Sequence, residues 1–152
     1  MKILFVCLGN ICRSPMAEGI FRTMAEEMSI RVETDSCGTG DWHVGEAPDK
    51  RARACMKAHH DDISDLRARQ FRTSDFDEFD RIFVMDRSNY QNVVALAENE
   101  SQKKKVELFL NLTYPDEHRE VPDPYFGGDE GFEQVYRMLA KSSEVLLNQI
   151  NG

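Results

Sequence analysis

Cysteine is scarce in this chain. Cys7, Cys12, Cys37 and Cys55 are the four among 152 residues, too few for a disulfide framework, and no two stand at the C-x₂-C spacing of a structural zinc site. Reduced thiols are expected. Positive charge is also short: 19 Lys and Arg against 27 Asp and Glu leave a net charge of −8. That balance argues against nucleic acid or an anionic membrane as partner, so any anion site has to be built locally. Long apolar runs are missing as well. The stretch Met1-Lys2-Ile3-Leu4-Phe5-Val6-Cys7 is cut by Asn10 and Arg13 before it reaches the length of a secretory core or a transmembrane span, and a cytoplasmic protein is expected. Histidine is limited to His43, His59, His60 and His118, scattered with no ligand spacing, so no metal and no other cofactor is expected. Nucleotide signatures are lacking too: the phosphate-loop lysine motif is absent, and Gly38-Thr39-Gly40 has no third glycine to complete the dinucleotide fingerprint.

What is present reads as one folded unit spanning residues 1–152. The chain is 41% hydrophobic and 30% charged, an ordinary globular mixture at a length that buries a continuous core. Ile3 to Val6 is apolar without alternation, as a strand buried on both faces is, and it ends in the polar turn Gly9-Asn10. Ser14-Pro15 then supplies a capping hydroxyl and a helix-starting proline, with Met16, Ile20, Met24 and Met28 at i+4 spacing, which predicts a helix of about four turns. Further strands are predicted over Ile30 to Cys37, Arg81 to Met85 and Val106 to Leu110. Helices are predicted over Asp49 to His60, around Tyr90, Val93, Val94 and Ala97, and from about Gly131 to the end. Lys103-Lys104-Lys105 reads as a solvated turn. The alternation predicts an α/β fold: a four-stranded parallel sheet with helices on both faces, flavodoxin-like or Rossmann-like, with its site beyond the carboxyl ends of the strands.

The chemistry concentrates in Cys7-Leu8-Gly9-Asn10-Ile11-Cys12-Arg13-Ser14, between the first strand and the first helix. Backbone N–H groups there can converge at the positive end of the helix, a place suited to a dianion. A cysteine in such a cradle is favoured as thiolate by those amides, by the helix dipole and by Arg13. Five intervening residues let the chain curl back, so that the planar Arg13 guanidinium grips the oxygens of a phosphate resting over Cys7. Gly9 and Asn10 suit the positive φ values of a cradle. Ser14 can cap the helix or donate to the Cys7 thiolate, two roles that compete. Cys7 as a small buried core residue and Arg13 as a solvated surface residue are the plainer alternatives.

The segment VCLGNICRSPMA from Val6 to Ala17 resembles the phosphate-binding loop of the low-molecular-weight protein tyrosine phosphatases. The resemblance continues through Asp35-Ser36-Cys37-Gly38-Thr39, Met85-Asp86-Arg87-Ser88-Asn89 and Asp123-Pro124-Tyr125-Phe126-Gly127, in the family's order. It implies Cys7 as nucleophile, Arg13 as clamp, Asp123 as general acid and residues 8–14 as phosphate cradle. Trp42 and Tyr125 would be pocket walls, with Ile11 on the floor, while Ser36 and Asp86 would brace the loop together with Asn10. Asp123 has a case of its own, since Pro122 and Pro124 stiffen its backbone and so aim a carboxylic acid; a plain proline-rich turn is the alternative.

Two departures from the family stand out. Leu66-Arg67-Ala68-Arg69-Gln70 lacks the histidine that the family uses to hold the loop asparagine, and Phe126 replaces the second of a tyrosine pair. The implied reaction is metal-independent hydrolysis of phosphotyrosine in proteins, and of small aryl phosphates, through a phosphocysteine, with inorganic phosphate or other oxyanions as competing ligands. A thiol-dependent arsenate reductase is the nearest rival, but it needs a cysteine relay and no cysteine follows Cys55. A non-catalytic phosphotyrosine-binding module needs neither the thiol nor the acid. Cys12, five positions after Cys7, is a candidate resolving thiol under mild oxidation.

Overall fold

The computed structural model describes residues 1–152. Its strands are β1 (Lys2–Cys7), β2 (Glu33–Gly38), β3 (Arg81–Val84) and β4 (Val106–Leu108). Its helices are α1 (Arg13–Glu27), α2 (Lys50–Ala58), α3 (Asp75–Glu78), α4 (Arg87–Val94), α5 (Glu100–Lys103) and α6 (Asp129–Asn151). The strands form one parallel sheet in the order β2-β1-β3-β4. The strand order reverses beside β1, and the crevice that such a reversal opens lies beyond the carboxyl ends of β1 and β3.

β1 shows why its sequence has no polar alternation. Ile3, Phe5 and Cys7 face a core shared with α1 and α6, whereas Leu4 and Val6 face a second core with Ile82, Val84 and Val93. Both faces are dry. The Phe5 ring packs against Phe21 at 5.8 Å and edge-on against Phe109 at 5.2 Å between centroids. Burying each such ring contributes about 1.5–3 kcal/mol. On α6 the apolar stripe is realised by Phe132, Val135, Leu139, Leu146 and Leu147, all buried.

The structure corrects several boundaries. The second strand begins at Glu33, after Ser29 adopts φ 56° to turn the chain. β4 stops at Leu108, because Phe109–Asn111 coil into a 3₁₀ turn that drops Phe109 and Leu110 into the core. α6 begins at Asp129, with Asp129 and Glu130 in its first turn where the helix dipole favours acid. The short helices α3 and α5 carry no periodicity long enough to read. Lys103 closes α5, and the Lys105 ammonium donates to the Phe76 carbonyl, so the lysine run is not simply a solvated turn. No helix is long and apolar enough to cross a membrane.

Candidate active site

The loop between β1 and α1 is tied down by its own carbonyls. Those of Cys7, Leu8 and Ile11 accept from the amides of Thr39 (2.9 Å), Gly40 (2.9 Å) and Asp49 (2.7 Å). With the carbonyls turned outward, the amides of Leu8, Gly9, Ile11 and Cys12 make no hydrogen bond within the protein, which is the arrangement of an anion cradle. Asn10 alone supplies the left-handed turn, at φ 58°. The expectation of positive φ at Gly9 does not hold, and Gly9 instead lies close under His43, whose ring a Cβ would meet at 3.2 Å.

Cys7 ends β1 and is buried, with its Sγ 2.9 Å from the Ser14 hydroxyl and 3.3 Å from the Asn10 amide. Ser14 is therefore not the helix cap: α1 starts at Arg13, Cys12 occupies the cap position without a side-chain bond, and the Ser14 hydroxyl faces the sulfur. The hydroxyl is not spent on the cap: it lies against the sulfur and also reaches the Cys37 carbonyl, to which it can donate at 3.3 Å. Asn10, deprived of the family's histidine, is held at both ends of its side chain. Its Nδ2 donates to Ser14 (2.7 Å) and Ser36 (3.0 Å), and its Oδ1 accepts from the Arg69 amide (3.0 Å). A backbone N–H replaces the imidazole.

Arg13 is 3% exposed, and its Nη1 donates to Asp86 (2.6 Å) and to the Val121 carbonyl (3.1 Å). Its Nη2 lies 3.7 Å from the Asp123 carboxylate. Burial opposes the charge, but Cys7, the Asp86 hydrogen bond and Asp123 outweigh it and hold the guanidinium more firmly protonated than in water. Asp123 sits at the mouth, one oxygen accepting from the Tyr125 amide at 3.0 Å. Around that mouth stand Trp42, Tyr125 and Ile11, joined by His43 and Phe126. Trp42 is 68% exposed and its indole covers Gly40, where a Cβ would collide with the ring.

Several contributors escaped sequence reasoning. Glu18 is buried beneath the loop and accepts from the Ser36 hydroxyl at 2.8 Å, extending the chain Cys7–Ser14–Asn10–Ser36 inward. Arg69 is anchored by two nitrogens on the fully buried Asp75. Arg51 donates to the Tyr125 (2.8 Å) and Gly127 (3.1 Å) carbonyls and so ties the acid loop to α2. None of these has a local sequence signal, because each acts across the chain. His59, which has no ligand spacing in the sequence, is set by the fold against Cys55 and Glu133.

Comparison with known proteins agrees with this geometry. The family model for low molecular weight phosphotyrosine protein phosphatases matches residues 2–152. The low molecular weight phosphotyrosine protein phosphatase of Schizosaccharomyces pombe is 44% identical, over 99% of this chain and 97% of its own. A crystal structure of a protein tyrosine phosphatase from Entamoeba histolytica, with Hepes in its active site, superposes with a TM-score of 0.92 at 36% identity, covering 99% of this chain and 97% of the other. A Drosophila arginine phosphatase superposes equally well, at 0.92 and 33% identity over 100% and 99% of the two chains. This chain belongs to the low molecular weight phosphotyrosine protein phosphatase family.

Proposed function

We propose that this protein hydrolyses phosphotyrosine in proteins, and small aryl phosphates, without a metal. The observation that carries the reading is the convergence of the Cys7 sulfur, the Arg13 guanidinium and the Asp123 carboxyl on one pocket walled by Trp42 and Tyr125. Cys7 attacks phosphorus in line, Asp123 protonates the departing phenolic oxygen, and a phosphocysteine forms. Water then attacks that intermediate while Asp123, now a carboxylate, takes its proton. The cradle amides of residues 8–14 and the Arg13 fork hold the equatorial oxygens throughout. Ser14 is set to donate to the sulfur when it departs as thiolate in the second step. Ser36 and Asp86 position Asn10 and Arg13.

Inorganic phosphate and other oxyanions would occupy the same cradle as competitors, and the Hepes bound in the Entamoeba relative supports that reading. Phosphotyrosine-containing proteins are the proposed partners, the cytoplasm the proposed location, and residues 1–152 the single proposed domain. A second reading, removal of phosphate from arginine, is favoured by the Drosophila neighbour. The aromatic faces of Trp42 and Tyr125 and the apolar Ile11 floor fit a flat phenyl ring better.

The deciding experiment is hydrolysis of phosphotyrosine peptide and of phosphoarginine with EDTA present, repeated on Cys7→Ser. The expected result is a higher kcat/KM on phosphotyrosine and loss of turnover in the variant with vanadate binding retained. A higher kcat/KM on phosphoarginine reverses the substrate assignment, and turnover by Cys7→Ser within tenfold of the parent removes Cys7 as nucleophile.

A further inference from the structure

Outside the catalytic pocket, three side chains with different donor atoms meet on the face where α2 packs against the first turns of α6. Cys55 and His59 lie four residues apart, which brings them to one side of α2 and its cap. Glu133 approaches from the second turn of α6. Its two carboxylate oxygens are each 2.9 Å from His59 Nε2, and one is 3.7 Å from Cys55 Sγ. All the donor atoms lie within 4.8 Å of one another, and all three side chains are half-buried. We propose that Cys55, His59 and Glu133 form a binding site for a zinc-class divalent metal ion, clamping α2 to α6 away from the reaction centre.

The geometry needs little adjustment. Tetrahedral bonds of about 2.3 Å to sulfur and about 2.0–2.2 Å to nitrogen and oxygen set the donors about 3.3–3.6 Å apart. The His59–Glu133 contact has to open by about half an ångström, the Cys55–Glu133 separation is kept, and Cys55 and His59, within 4.8 Å of each other, have to close to that range by side-chain rotation. The His59 ring is already oriented, because it stacks on Tyr136 at 3.7 Å with an 8° tilt, and its backbone closes the end of α2 through a bond to the Met56 carbonyl. The two helices that carry the donors pack against each other, so the site rests on regular structure. A sulfur, an imidazole nitrogen and a carboxylate make a borderline-soft set that suits zinc and not calcium or magnesium.

Cys55 and Glu133 also line a hollow together with Lys50, Arg51, Asp129 and Phe132, which leaves room for a water as fourth ligand. Asp129, one turn before Glu133 on α6, stands in that hollow and can accept a hydrogen bond from such a water. Two cations compete for the carboxylates. Arg137 lies 3.7 Å from Glu133 but is 73% exposed and free to swing away, whereas Arg51 is occupied by Asp49 and the acid-loop carbonyls. Binding converts the Cys55 thiol to a metal thiolate and releases one proton, while neutral His59 donates its Nε2 lone pair with its proton on Nδ1.

The test uses full-length Cys7→Ser protein, so that the catalytic thiol takes no part, and reads metal binding instead of hydrolysis. Zinc is titrated against a chromogenic chelator, and cobalt is used as a spectroscopic substitute. The expected result is one zinc per chain, a tetrahedral cobalt spectrum with a thiolate charge-transfer band, and a melting temperature raised on the order of 5 °C at zinc about a hundredfold above its dissociation constant. Adding Cys55→Ser should abolish the charge-transfer band. Adding His59→Ala or Glu133→Gln should weaken zinc at least about tenfold. Metal-free melting curves show whether each variant is folded, and Glu133→Gln, which keeps size and shape, covers the case in which a ligand deletion unfolds the chain. No zinc uptake by Cys7→Ser protein, or uptake unchanged by Cys55→Ser and Glu133→Gln, overturns the proposal and leaves His59 and Glu133 as a hydrogen-bonded pair that joins the two helices.

Discussion

One carboxylate serves both Arg13 and a helix: Asp86 Oδ2 accepts from Arg13 Nη1 at 2.6 Å, while Oδ1 accepts from the Asn89 amide at 2.7 Å and caps α4. The proposed phosphate clamp is thereby referenced to the end of β3. A flexible side chain becomes a fixed fork, which is what a bidentate grip on an oxyanion demands.

Asp86→Asn separates these two duties. Asparagine is as good a helix cap as aspartate, so any fall in melting temperature reports the buried Arg13 left without its carboxylate and not a lost cap. Its amide then faces the guanidinium with a donor or a weaker acceptor, the fork loses its anchor, and kcat/KM should fall on the order of tenfold to a hundredfold. Near-parental kcat/KM in the variant would show instead that capping is its only role.

Asp123→Ala should slow phosphotyrosine far more than an aryl phosphate whose leaving group is strongly acidic. A phenol with pKa near 10 needs its proton in the transition state, and general acids are typically worth about 10² to 10⁴ in rate. Leaving-group dependence is the measurement; equal losses on both substrates would assign Asp123 a structural part.

At Gly38, where β2 ends, an added Cβ would stand 2.7 Å from the Leu8 carbonyl oxygen and 3.1 Å from the Asn10 nitrogen. Both are backbone atoms of the cradle and cannot rotate aside. Gly38→Ala should therefore shift the loop and reduce kcat on the order of a hundredfold, with vanadate affinity reduced in parallel. Parental vanadate affinity in the variant would mean that the loop absorbs the methyl.

Glu18 gives a signed pH prediction. Burial raises its pKa, and the Ser36 hydrogen bond offsets this only in part. A carboxyl that is harder to ionise in the folded state binds its proton more tightly there than in the unfolded chain. Stability is thus lost as pH rises from the ordinary glutamate range through the raised value. Glu18→Gln keeps the hydrogen bond and removes the titration, so its melting temperature relative to the parent should improve between pH 4 and pH 7. An unchanged difference across that range would count against the assignment.

Cys12 is buried, and burial followed by the nearby Asp49 pushes its thiol well above the ordinary range. It is the protonated neighbour of the proposed nucleophile. Mild peroxide should still yield a two-hydrogen loss by intact mass, with activity restored by dithiothreitol in the parent but poorly in Cys12→Ser, where overoxidation goes unchecked. Equal recovery of both proteins, without the mass change, would leave Cys12 as a packing residue.

The strand, loop and helix around Cys7 were legible in order because each is written locally: an unalternating apolar run, a Gly-Asn turn, and a helix repeating at i+4. The same holds for Asp123, fixed between two prolines. What sequence could not supply is everything joined through space. It offered Ser14 two partners, and only the packing of α1 beside β1 assigned its hydroxyl to the sulfur. It left Asn10 without its histidine, and only the approach of residue 69 supplied a backbone donor in its place. Arg51 on the acid loop, Glu18 under Ser36, and His59 beside Glu133 are likewise contacts between segments far apart along the chain. Local periodicity determined which elements form and which residues are available for chemistry. Parallel strand order decided which of them meet, because crossover connections bring distant residues together at one sheet edge with no trace of the pairing in either local stretch.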